Sequence, residues 1–208
     1  MRRDPRETER RLLSIASEQG GYFTARQALS VGYTYRQQHF HRERGNWLLV
    51  DRGLFRLRGY PNSPHEDLIR WAFWSRDQKG QIKAAVSHES ALAFHDLGDI
   101  MPAKLHFTVP KGFRKRAPDA CVLHHRNLGD SDLERHEGFL VTTPLRTIKD
   151  VAESHVSPEH LIKALHDALN RGLIRRKQLE EDGMSRFGRQ RLDEAVQALA
   201  KGQDHEAA

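Results

Sequence analysis

The spacing of apolar positions changes period within the first sixty residues. From 7 to 19, Leu12, Leu13, Ile15 and Ala16 recur on one helical face, and Gly20-Gly21 stops the run. Two capping-box sequences follow, Thr24-Ala25-Arg26-Gln27 and Thr34-Tyr35-Arg36-Gln37. In each, the threonine oxygen serves a free N–H of the first turn while the glutamine reaches back to the cap, so a brief second helix is expected to Val31 and a third to Arg44. Gly32 and Gly45 close them. Two capped helices separated by a short turn make a helix-turn-helix.

After Gly45 the period falls to two. Trp47-Leu48-Leu49-Val50 and Leu54-Phe55-Arg56-Leu57-Arg58 read as strands joined by Asp51-Arg52-Gly53, with glycine where a positive φ is needed. In this wing Trp47, Phe55 and Leu57 cover the helices, and Arg52, Arg56 and Arg58 are expected to point to solvent. Gly59-Tyr60-Pro61-Asn62-Ser63-Pro64 is uncharged and proline-bearing, a short stiff linker. The expected organisation is a winged helix-turn-helix over 1–60, a second domain over 61–202 and a disordered tail over 203–208.

Beyond the linker, helices are expected over 65–76, from Ser87, from Ser157-Pro158-Glu159 to Gly172, and over 189–200. Strands are expected over 104–109, 120–124 and 138–142, with the acids of 130–137 in a loop. The fold class is therefore mixed α/β (α+β): a winged helix followed by a domain with a small sheet and C-terminal helices.

Charge sharpens the picture. Residues 1–60 hold twelve basic side chains against six acidic ones, an excess that equals the net +6 of all 208 residues. Every one of the twelve is arginine, whose planar fork suits phosphate and guanine better than lysine's point charge. The apolar runs fall short of the ~18 residues of a membrane span, and MRRDPRETERR has no apolar signal stretch, so a cytoplasmic location is expected. The single Cys121 sits in apolar company and reads as a buried strand residue. The thirteen histidines are scattered, His39-x-His41 and His124-His125 match no ligand spacing, and neither metal nor cofactor is expected.

These features place the third helix in a DNA major groove, with Thr34 and Tyr35 at its start and Arg36, Gln37 and His41 facing outward. Arginine reads guanine and glutamine reads adenine through paired hydrogen bonds. Arg26, Arg52, Arg56 and Arg58 are then phosphate or minor-groove contacts. Lys111, Arg114, Lys115 and Arg116 form a second basic patch on a loop, which suits DNA, an acidic partner or plain solvent equally. His65-Glu66-Asp67 and Ser87-His88-Glu89 resemble catalytic fragments, but both fall at helix starts and read as caps. Arg146 and Asp150 form an i, i+4 pair.

Five motifs in order carry a resemblance over roughly residues 10 to 180: Gly53-Leu54-Phe55-Arg56-Leu57-Arg58; Pro64-His65-Glu66-Asp67-Leu68; Ser87-His88-Glu89-Ser90-Ala91-Leu92; His106-Phe107-Thr108-Val109-Pro110; and Val141-Thr142-Thr143-Pro144-Leu145-Arg146-Thr147-Ile148-Lys149-Asp150. Together they resemble the AbiEi family, the antitoxins of type IV toxin–antitoxin systems. The resemblance implies a non-enzymatic repressor that binds inverted repeats in its own promoter as double-stranded DNA. It also implies that the C-terminal domain counters a nucleotidyltransferase-like toxin, directly or indirectly. A chain that is monomeric in solution and cooperative on DNA fits this reading. The third helix departs from the family pattern, with Gln38 and Arg42 at two normally aliphatic inward positions. Either Tyr33 and Phe40 supply the apolar contacts, or Tyr35 and His39 pack inward with the stem of Arg42. The alternatives are a winged helix fused to a metal-dependent nuclease, or an antitoxin acting purely by sequestering its toxin. A nuclease needs clustered carboxylates and a lysine around Mg²⁺, and no Asp followed closely by Glu-x-Lys occurs on a strand pair.

Overall fold

The structure is a computed structural model that describes residues 4–180 and 183–206, with side chains to 201. The chain forms two compact units. The first runs to Ala84 and includes Arg135–Leu140, and the second holds Ala85–Glu134 and the chain from Val141 onward.

In the first unit α1 (Pro5–Ser17) is followed by β1 (Tyr22–Thr24), α2 (Ala25–Val31), α3 (Tyr35–Glu43), β2 (Trp47–Asp51), β3 (Leu54–Leu57) and α4 (Glu66–Trp74). Both capping boxes form: Thr24 and Thr34 accept from the N–H three residues on, and Gln27 and Gln37 return the bond. The wing is a three-stranded antiparallel sheet in the order β1-β3-β2, with Gly53 at φ +66 in the turn. Strand β1 stands where only a turn was expected. Three residues are too few to show a period, and Phe23 is fully buried against Trp47 and Phe55, at ring distances of 4.8 and 5.7 Å. Leu12, Ala16, Ala28, Val31 and Tyr33 complete this core, a winged helix-turn-helix.

The boundary expected after Tyr60 moves to Ala84. Arg56 ties the supposed linker down, and the end of α4 returns to the winged helix: Arg26 donates to the Gln78 carbonyl at 2.8 Å and Arg76 to the Arg52 carbonyl at 2.8 Å. Residues 135–140 also belong to this unit. Gly138 has φ +79, and a Cβ there would stand 2.9 Å from Ile69 Cγ2 and 3.2 Å from the Gln19 carbonyl oxygen, so the tip of that hairpin accepts only glycine without rearrangement.

The second unit contains β4 (Ala85–Val86), α5 (His88–His95), β5 (Leu105–Val109), β6 (Cys121–His125), the first half of β7 (Leu133–His136), the second half of β8 (Phe139–Thr142), α6 (Pro144–Ala152), α7 (Pro158–Asn170), α8 (Arg176–Leu179) and α9 (Arg186–Glu206). The five-stranded sheet has the order β6-β5-β4-β8-β7. Strands β5 and β6 are parallel, in register from Leu105↔Cys121 to Val109↔His125. Parallel neighbours cannot share a tight hairpin, so 110–120 must cross back to the start of β5. Helices α5, α6, α7 and α9 bury Leu92, Ile148, Val151, Leu161, Leu165 and Leu192 together. The single cysteine, Cys121, is buried in β6. Part of the expected acidic loop pairs as β7, and α9 continues through Glu206, past the start of the expected tail; 207–208 lie outside the described residues. No helix among the described residues is long and apolar enough to cross a membrane.

Candidate functional site

Helix α3 sits on the wing core through two residues of unusual polarity for that role. Gln38 is 4% exposed and donates from Nε2 to the Ala25 carbonyl at 3.1 Å, which ties α3 to the start of α2. His41 stacks on Trp47, with centroids 4.7 Å apart and planes 11° from parallel, and meets Tyr33 edge-on at 5.4 Å. Burial pushes its pKa down, favouring the neutral ring. His41, expected to face DNA, is thus half-buried against Trp47 and Tyr33 of the wing core. Of the two packings left open by the sequence, only the Tyr33 half of the first is realised, because Phe40, Tyr35 and His39 all stand outside.

Gln37 is engaged within its own helix. Its Oε1 accepts from Thr34 N at 2.8 Å and from Thr34 Oγ1 at 3.0 Å, and Thr34 Oγ1 accepts from Gln37 N at 3.2 Å. A paired contact to adenine needs Oε1 and Nε2 together, so it would have to open the capping box. What the helix presents is a stripe at i, i+1, i+4, i+5: Tyr35, Arg36, His39 and Phe40. Tyr35 is 71% exposed and Phe40 is 52% exposed. Arg44 holds its guanidinium 5.3 Å over the Phe40 ring, and Arg42 bonds His39 Nδ1 at 3.1 Å and Glu43 Oε1 at 3.0 Å.

On the wing, Arg52 is exposed at the turn and Arg58 is exposed beside the Gly45 carbonyl, 3.4 Å from Nη1. Arg56 is not a solvent-facing contact. It is 8% exposed, and its Nη2 donates to the carbonyls of Tyr60 at 3.1 Å and Pro61 at 3.0 Å and to Asn62 Oδ1 at 2.9 Å, with Glu66 Oε1 at 3.1 Å. Alternation along β3 put it with Arg58, but the chain after Gly59 folds back over that face and covers it. Arg26 remains exposed with one bond, to Gln78.

In the second unit, Lys111, Arg114, Lys115 and Arg116 are exposed on the β5–β6 crossover. The sheet also assembles a cluster that a reading by helix starts missed. Strand alternation puts His106 and Thr108 of β5 on the same face as His124 of β6, next to Ser87 and His88 at the end of β4. Ser87 does not cap α5, contrary to expectation, and His65 makes no side-chain cap for α4. Thr108 Oγ1 donates instead to Ser87 Oγ at 2.8 Å, and Ser87 Oγ lies 3.0 Å from His88 Nδ1.

His88 holds φ +51, a left-handed conformation that costs a non-glycine residue about 1–2 kcal/mol. Its ring stacks on His124 at 3.4 Å and 11°. His106 Nδ1 lies 2.7 Å from Glu89 Oε2 and 3.2 Å from His124 Nε2. Burial, then the neighbouring histidines and arginines, pushes His88 down to about 2. Burial, then His106, pushes His124 down to about 4. Both are neutral near pH 7. Burial pushes Glu89 up, but the His106 contact outweighs it and holds the carboxyl below its usual range. The cluster opens on a cavity of about 490 Å³ lined by His88, Glu89, His124, Glu153, His155 and His160, among others. Among the described residues no group of three or more His, Cys, Asp or Glu is placed to hold a metal ion. The alternation of His106, Thr108 and His124 was the signal in the sequence, visible only once β5 and β6 are known to be neighbours.

Nearby, Arg146 Nε and Nη2 donate to Asp150 Oδ1 at 3.0 and 2.6 Å, and both residues are buried. Burial pushes Asp150 up in spite of the arginine.

No model of a protein family matches this chain, and no curated protein matches it. Among solved structures it is similar to the crystal structure of the RV2827C protein from Mycobacterium tuberculosis, with 17% identity and a TM-score of 0.44 over 93% of this chain and 83% of that one.

Proposed function

We propose that the protein is a double-stranded DNA-binding repressor that acts in the cytoplasm, and that it is the antitoxin of a type IV toxin–antitoxin pair. The observation that carries the DNA reading is the doubly capped α2–α3 pair, which holds Arg36 on an exposed helix face beside a wing bearing Arg52 and Arg58. The excess of six positive charges within residues 1–60 supports it, because a duplex attracts such a module before any base is read. The antitoxin reading rests on the five AbiEi-like motifs, three of which lie at β4–α5, β5 and β8–α6 of the second unit. It makes the protein a non-enzymatic antagonist of a nucleotidyltransferase-like toxin.

The test uses the full chain, since a cut at Pro61 would divide the first unit. A reporter behind the native promoter reads repression, and growth of cells expressing the neighbouring gene reads antitoxin activity. Wild type should repress and rescue. Arg36→Ala should lose repression and still rescue growth, because Arg36 lies in the first unit on a solvent-facing helix turn. A wild-type chain that leaves the reporter untouched and gives no shift of upstream DNA overturns the repressor reading. Failure to rescue growth overturns the antitoxin reading.

A further inference from the structure

The outward stripe of α3 is more aromatic than a guanine-reading helix needs. Tyr35 and Phe40 stand on it at 71% and 52% exposure, on a helix whose other exposed residues are all polar. Phe40 has no polar atom, so it can satisfy no hydrogen-bonding edge of a base. The one apolar group in the major groove is the C5-methyl of thymine. Positive charge surrounds the stripe: Arg36 lies one turn before Phe40 on the same face, Arg44 holds its guanidinium 5.3 Å over the ring, and Arg58 flanks the end of the helix at Gly45. An apolar patch rimmed by arginine complements a methyl-bearing groove walled by phosphates better than it complements a second copy of itself, whose arginines would face its own.

We propose that Phe40, with Tyr35 beside it, reads thymine methyl groups in the major groove, next to a guanine taken by Arg36. The inference rests on the DNA-binding reading and names the base chemistry of that same face. It moves the sequence-determining set from Arg36, Gln37 and His41 to Tyr35, Arg36 and Phe40. The reason is that Gln37 is held by its capping box and His41 by Trp47.

The experiment enriches binding sequences from random duplexes with the full chain, then compares the enriched duplex with one in which deoxyuridine replaces each thymine of the site in turn. Only a methyl is removed, so pairing and backbone are unchanged. At one or two positions the wild type should lose about three- to fivefold in affinity, the worth of one buried methyl group. Phe40→Ala should bind the thymine and uracil forms equally, and its thermal midpoint should match the wild type because the ring is mostly outside the core. Enrichment without any uracil sensitivity, or uracil sensitivity that persists in Phe40→Ala, overturns the proposal and leaves the DNA reading standing. Binding with no sequence enriched also overturns it. A Phe40→Ala chain that changes oligomeric state while keeping its thymine discrimination assigns the patch to self-association and overturns it too. Absence of any duplex binding removes the DNA reading itself, and the proposal with it.

Discussion

The Arg56 guanidinium donates to the Asn62 side-chain oxygen at 2.9 Å, and the same nitrogen also reaches the carbonyls of Tyr60 and Pro61. A cation placed at the centre of one turn of backbone is a structural clamp, and Glu66 beside it balances part of the charge. Arg56→Ala would leave two carbonyls and a carboxylate without their partner. The expected loss is about 2–4 kcal/mol, read as a lower denaturant midpoint at unchanged slope. Arg36→Ala, on an exposed turn, should stay within about 0.5 kcal/mol of wild type. Equal stability of the two variants would contradict the clamp.

Arg146 and Asp150 pose a similar question inside the second unit. An i, i+4 pair on a helix surface stabilises by a few tenths of a kcal/mol. Here both partners are buried, and burial pushes the Asp150 pKa up against its arginine. Removing one partner strands the other, so Arg146→Ala should cost about 3–5 kcal/mol. The double replacement Arg146→Met with Asp150→Leu should recover most of that loss, because neither member of the pair is left as a lone buried charge. Chemical denaturation of the three variants checks this; a double variant no better than the single one counts against the buried-charge account.

The histidine cluster makes stability depend on pH, and the direction follows from the shifts. An unfolded histidine titrates near 6.5, whereas His88 in the fold is held down to about 2 and His124 to about 4. Between those values the unfolded chain binds protons that the folded chain refuses. Their contribution is therefore complete above about pH 6.5 and is lost as pH falls, down to about 4 for His124 and about 2 for His88. The groups facing them are Glu89, His106, His125, Arg126 and Arg146, of which Glu89 alone favours protonation. From pH 7 to pH 5, His88 should account for a loss on the order of 2 kcal/mol. His88→Asn tolerates the left-handed backbone and cannot titrate, so its stability should vary less over the same range. A pH profile identical to wild type would show that His88 is not the group responsible.

Much of the first unit was legible because its signals are local. The capping boxes of Thr24 and Thr34 fix two helix starts within four residues each, and Gly53 fixes the turn of the wing. What escaped depends on distant partners. Arg56 looks like a wing cation until residues 60–62 fold over it, and His41 looks like a groove contact until Trp47 stacks on it. Gln37 illustrates a conflict readable in the sequence itself, since a glutamine that closes a capping box has no free carbonyl oxygen for a base. The Ser87 to His124 cluster required the parallel pairing of β5 with β6, which no local pattern announces.

Salt dependence tests the revised set of DNA contacts. With Arg56 withdrawn to the backbone of 60–62, the cations left exposed around α3 and the wing are Arg26, Arg36, Arg52 and Arg58, with Arg42 and Arg44 at the end of the helix. About 3–5 of these neutralising phosphates would give a log–log slope of affinity against salt of about −3 to −4.5. Arg52→Ala should make that slope shallower by about one and weaken operator and random duplexes alike, because a wing contact to phosphate carries no sequence information. Arg56→Ala, assayed where it is still folded, should keep the wild-type slope, since its guanidinium never reaches the duplex. Arg36→Ala should lose affinity for the enriched sequence more than for random DNA. Titrations of the full chain and the three variants from low to moderate salt provide the comparison. A slope changed by Arg56→Ala and unchanged by Arg52→Ala would return the clamp residue to the interface and undo the assignment.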